Sequence, residues 1–87
     1  MGFPDTQLMT RHASQIRRMA EEMNRLNNVK LLDAAENTAA VWRGEAAVAF
    51  LQHCTTTRDL VHKTVSELYK VADDIERTAR ELESITQ

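Results

Sequence analysis

The chain carries a single proline, Pro4, and two glycines, Gly2 and Gly44, so its interior holds one residue able to break a helix, at its midpoint. That distribution constrains the fold more than any other feature. A helix beginning beside Pro4, with Asp5 or Thr6 as its N-cap, meets no breaker until Gly44. Over roughly 37 residues it would extend about 55 Å. After Gly44, Glu45 brings a carboxylate to the positive end of a second helix dipole, and nothing interrupts the chain from there on. The sequence therefore predicts one domain over 1–87, with a helix over about 5–41, a turn at 42–45 and a helix over about 46–84.

Hydrophobic periodicity supports both helices. In the second half, Leu51, Cys54, Arg58, Val61, Val65, Leu68, Ala72, Ile75, Ala79 and Leu82 alternate steps of three and four, a heptad seam interrupted only by Arg58. In the first half the same pattern runs through Met9, His12, Ile16, Met19, Met23 and Leu26. It then drifts through Val29, Leu31, Leu32, Ala34, Ala35 and Val41, and the change of period around Asn27-Asn28 points to a local distortion there.

Folding back at Arg43-Gly44 places residues whose numbers sum to about 87 at the same height. Leu26 then meets Val61, Met23 meets Val65, Met19 meets Leu68 and Ile16 meets Ala72. Arg11, Arg17 and Arg18 fall beside Asp73, Asp74 and Glu76, a charge match that disfavours other registers more than it stabilises this one. Lys30 and Asp33 come opposite Arg58 and Cys54, and Arg58 reads either as half of an ion pair with Asp33 or as a binding handle. Glycine at 44 suits the reversal because it reaches left-handed backbone angles without a Cβ penalty. Ala39, Ala40, Ala46, Ala47 and Ala49 allow the backbones to approach closely near the bend.

A hairpin alone leaves apolar groups in water. Beside the second seam runs the row Phe50, Thr57, Thr64, Val71, Thr78 and Ile85, and Phe50, Val71 and Ile85, with Val29 and Leu32 on the first helix, form a candidate dimer face. At roughly 1.5 to 3 kcal/mol for each large apolar side chain, covering them is worth about the whole stability of a small domain. The predicted fold is therefore all-α: an antiparallel helical hairpin that dimerises into a four-helix bundle.

The same residues weigh against several functions. A net charge of −2 supplies no field to attract nucleic acid. His12, His53 and His62 lack metal-ligand spacing, so no metal or other cofactor is expected. Cys54 reads as a small core hydrophobe; its neighbour His53 points about 100° away on a helix, too far round to activate it as a nucleophile. No convergent polar cluster or phosphate-binding loop suggests an enzyme or a small-molecule substrate. Met9, Met19 and Met23 read as core filler or as an adaptable partner-binding face, and the stretch from Asp73 to Glu83 as a solvated face. The N-terminus lacks the basic and then apolar segments of a cleaved signal peptide. Gly2 and Thr6 stand at myristoylation spacing, but the intervening Phe3-Pro4 makes that spacing fortuitous.

At Trp42-Arg43-Gly44, between two long helices, the chain resembles the WXG family of small type VII secretion substrates, the early-secreted-antigen-like proteins. The stretch "VWRGEAAVAFLQHC" followed by an acidic amphipathic helix is most similar to the Firmicute-type branch, some members of which accompany LXG toxins. The resemblance implies pairing as a homodimer or heterodimer with another WXG-like hairpin, secretion without a cleaved signal peptide, and recognition by a membrane-bound type VII ATPase. It also implies that the chain is either an exported substrate or a targeting partner for a larger secreted toxin. Trp42 and Gly44 match the family's turn motif, with Trp42 either capping the bundle or presenting a recognition surface. Family members also carry a Y-x-x-x-[DE] export element after the second helix, and here the only match is Tyr69 with Asp73. In a fully overlapped dimer the partner's Trp42 would lie about 17 residues past Tyr69, on the order of 25 Å away. Either the match is fortuitous, the overlap is partial, or a co-secreted partner supplies the signal. A cytosolic coiled-coil scaffold or assembly protein without an export role is the alternative.

Overall fold

A computed structural model describes residues 5–86; Gly2 and Pro4, and with them the outermost ends of the expected 1–87 domain, lie outside that range. The first arm comprises helix α1 (Thr6–Arg25), a π-helical turn (Leu26–Lys30) and helix α2 (Leu31–Ala39). The second arm is one helix, α3 (Glu45–Thr86). No strand occurs among the described residues.

Asp5 is the N-cap of α1: its backbone is extended, and its carboxylate accepts a 3.0 Å hydrogen bond from the Leu8 amide, satisfying one of the amides the first turn leaves unpaired. At the other end of the arm the helix tightens before it stops. The amides of Val41 and Trp42 donate three residues back, to Thr38 and Ala39, at 3.3 and 3.1 Å. Gly44 then takes φ +67°, the only positive φ among the described residues, and its carbonyl accepts the first bond of α3, from the Val48 amide at 3.3 Å. The reversal thus spans Ala40–Gly44, and α3 begins at Glu45. Threonines at 55, 56 and 64, poor helix formers, are accommodated in α3 by donating their hydroxyls to the carbonyls four residues earlier.

The two arms lie antiparallel. The Asn27 side-chain amide donates to the Arg58 carbonyl at 3.0 Å, and Arg17 bonds both Asp73 and Glu76. The numbers 27 and 58 sum to 85, and 17 and 73 to 90, which brackets the register of about 87. Leu26 and Val61, as expected, line one shallow groove.

From Cys54 on, the seam of α3 follows the heptad positions, with Val65, Ala72 and Ala79 buried and Cys54, Val61, Leu68, Ile75 and Leu82 half-buried, whereas Leu51, expected to begin it, is exposed. On α1 the seam is rotated from the one its hydrophobicity suggests. Ala13, Ala20 and Asn27 are buried at its centre, flanked by Met9, Ile16 and Met23, while His12 is exposed and Met19 and Leu26 are 57% and 44% exposed. Alanine every seventh residue on both helices lets the backbones approach closely, and that close approach excludes the larger Met19 and Leu26 from the middle of the contact. Beyond the π-turn its one extra residue turns Leu31 and Ala35 toward α3 and leaves Lys30 and Asp33 in solvent. Asp33 therefore does not reach Arg58, and no ion pair joins them.

The molecule is a rod of 65 × 18 × 15 Å, its length that of α3 alone, about 63 Å for its 42 residues. Its radius of gyration is 19.4 Å, against about 12 Å for a compact domain of this size. No large side chain among the described residues is fully buried. Accessible surface amounts to 6672 Å², whereas a compact monomer of this mass exposes about 5,200 Å².

Candidate interaction site at the tip and along one flank

Three successive residues set the geometry of the tip. Ala40 and Val41 close the tightened last turn of the first arm, and Trp42 follows it with its amide still bonded to Ala39. This holds the indole against α3, where its ring centroid lies 4.9 Å from that of Phe50, tilted by 51°. Such a tilted pair brings the positive edge of one ring toward the negative face of the other. Trp42 nevertheless remains 43% exposed, and Val41 and Val48 beside it are more open still. The tip is thus an aromatic pair partly packed and partly available.

The two flanks of the seam differ in chemistry. On one side stand Arg17 and Asn24 from α1 and Tyr69 and Glu76 from α3, brought together by the ion pairs of Arg17 with Glu76 and Asp73. On the outer, solvent-facing side of α3 Asp74 pairs with Arg77 one turn on, at 2.9 Å. On the other side the row that begins with Phe50 continues through Thr57, Thr64, Val71 and Thr78 to Ile85. Met19 and Leu26 of α1 stand about one helical turn, three residues, beyond its half-buried Ile16 and Met23, on this same flank. Val71 and Ile85 are exposed on it, and the groove of Met23, Leu26, Leu31 and Val61 is almost wholly apolar.

The residues expected to form a dimer face are distributed as follows. Phe50 lies under Trp42, and Val71 and Ile85 follow it along the apolar flank. Val29 is exposed in the π-turn. Leu32 lines a narrow cleft with Leu51, Cys54 and Thr55, on the side of α3 away from Phe50. Met19 and Leu26 join the apolar flank although periodicity assigned them to the seam. The signal that separates the two placements is the alanine repeat itself, since Ala13 and Ala20 match Ala72 and Ala79 in spacing and size.

Tyr69 and Asp73 sit one turn apart within α3, Tyr69 half-buried and Asp73 engaged by Arg17. Glu45 and Tyr69 are separated by 24 residues of continuous helix, about 36 Å, so a single chain does not bring the W-x-G turn to this pair. Arg58 is half-buried over the seam, and Cys54 is half-buried beside it. Away from these surfaces, a hydrogen bond from Arg25, and then its charge, hold the Glu22 carboxyl below the usual range, and both groups are open to solvent. Among the described residues no cluster of three or more histidine, cysteine, aspartate or glutamate side chains could hold a metal ion. No described helix is long and apolar enough to cross a membrane.

These features define an all-α helical hairpin with a two-faced stem and an aromatic tip. No family model matches the chain, and no curated protein and no solved structure matches it.

Proposed function

We propose that this protein is a WXG-like hairpin of a type VII secretion system, which pairs with a second hairpin and is exported itself or escorts a larger secreted effector such as an LXG toxin. The observation that carries the reading is the tip: the W-x-G tripeptide coincides with the chain reversal, Gly44 at φ +67° makes the turn, and Trp42 stays 43% exposed against Phe50. A tryptophan that served only to plug the end of the bundle would be covered; one held rigidly and left open suits recognition by an export ATPase.

Pairing is supported by the surface. The excess of about 1,500 Å² over a compact monomer is larger than the roughly 800 Å² that each partner contributes to a standard interface. The apolar flank of Phe50, Val71, Ile85, Met19 and Leu26 is the side a second hairpin covers, giving a four-helix bundle with the charged flank of Arg17, Asp73 and Glu76 left in water. In that arrangement Tyr69 and Asp73 remain on the outer side, where they could add to an export signal only together with a partner's turn.

The test is release into the medium from a host with a working type VII system, comparing the native chain with Trp42→Ala. Trp42→Ala is expected to abolish release while circular dichroism and light scattering show unchanged helicity and unchanged dimer mass. Undiminished release of Trp42→Ala overturns the role given to the tip, and release of neither chain overturns the export reading and leaves the cytosolic scaffold. A light-scattering mass of one chain overturns the pairing.

A further inference from the structure

Independently of the export reading, we infer that the π-turn at Leu26–Lys30 is a one-residue phase corrector written into the sequence, without which one arm of the hairpin would present its polar side to α3. Regular helix periodicity carried forward from the α1 seam of Met9, Ala13, Ile16, Ala20, Met23 and Asn27 would next reach Lys30, Ala34 and Asn37. Carried backward from the α2 seam of Leu31 and Ala35, it would reach Asn28, Asn24, Glu21, Arg17, Ser14 and Thr10, all polar. No single α-helical phase serves both halves of the first arm. One extra residue rotates everything beyond it by about 100°, which is the mismatch between the two halves.

The turn is anchored where the phases part. Asn27 is the last residue in the α1 phase and only 4% exposed, and its amide donates to the Arg58 carbonyl of α3 at 3.0 Å, although its own carbonyl oxygen has no protein partner. Asn28, the next residue, is exposed and bonds only Asn24, one turn back. Asn27 therefore locks the axial register, and the surplus residue is accommodated on the solvent side. Past the turn, Leu31, Ala35 and Ala39 face α3, and the tip follows in the phase that lays Trp42 on Phe50.

Deleting Asn28 should convert the π-turn to continuous α-helix while both seams stay against α3. The expected result is a melting temperature no lower than that of the native chain and an unchanged Trp42 emission spectrum. Deleting Glu67, an exposed residue in the middle of α3, serves as the contrast, because it puts Leu68, Ala72, Ile75 and Ala79 out of phase with Val61 and Val65; that variant should melt far lower or fail to fold. A loss of melting temperature on deletion of Asn28 comparable to that on deletion of Glu67, or a shifted Trp42 emission, would overturn the inference.

Discussion

Replacing Gly44 with alanine isolates one contribution to the reversal. A Cβ added at Gly44 meets no atom within 4 Å, so the substitution introduces no collision. What remains is the backbone term, because an L-residue with a side chain held at φ +67° costs about 1–2 kcal/mol. For a domain of this size 1 kcal/mol corresponds to about 5 °C in melting temperature, so Gly44→Ala should melt about 5–10 °C below the native chain. Gly44→Asn should recover roughly half of that loss, since asparagine enters the left-handed region more readily than other residues with a Cβ. The assay is thermal unfolding followed by far-UV circular dichroism at one fixed protein concentration, because the proposed pairing would make the midpoint depend on concentration. If alanine is tolerated as well as glycine, the turn does not need its left-handed residue and the account of the reversal fails. Equal losses with alanine and asparagine would point to a steric cause that the open space around Gly44 excludes. The series also bears on the proposed export role: if glycine acts through the backbone alone, any release of each variant into the medium should follow its folded fraction.

Ala72→Leu puts a large side chain into the alanine-lined seam, at a position with no exposed surface; overpacking of this kind costs about 1–3 kcal/mol and should appear as a lower denaturation midpoint, whereas a rise would mean that the seam is loosely packed. Arg17→Glu sets a carboxylate against Asp73 and Glu76, and although the native pairs contribute only about 0–1 kcal/mol, the reversed charge should lower the melting temperature and Glu76→Arg should restore part of it. Absence of rescue in the double variant would show that the pairs do not couple the arms.

The α3 seam was legible from the chain alone between Cys54 and Leu82, because there its residues keep one phase, and large apolar groups and alanines occupy the same positions; toward the turn Leu51 is exposed and Phe50 half-buried. The α1 seam was not, because periodicity weighs Met19 and Leu26 above Ala13 and Ala20, and only the distance between packed backbones reveals that small residues take the centre. The missing Asp33–Arg58 pair has the same origin. Its register was sound, but the π-turn rotates Asp33 into water, and a rotation about the helix axis leaves the height of a residue unchanged. The tip was legible in part: Trp42 and Gly44 announce the turn, while the packing of Trp42 on Phe50 depends on the phase in which α2 arrives.

The sequence by itself determined that the chain is helical and reverses at its midpoint, because helix formation and its interruption are local, decided by the placement of glycine and proline and by hydrogen bonds that span four residues. Only the tertiary structure decided which face of each arm meets the other, where the first arm takes its extra residue, and which flank is left apolar. Those outcomes depend on how closely two backbones approach, a property of the pair of helices that neither strand of side chains carries alone.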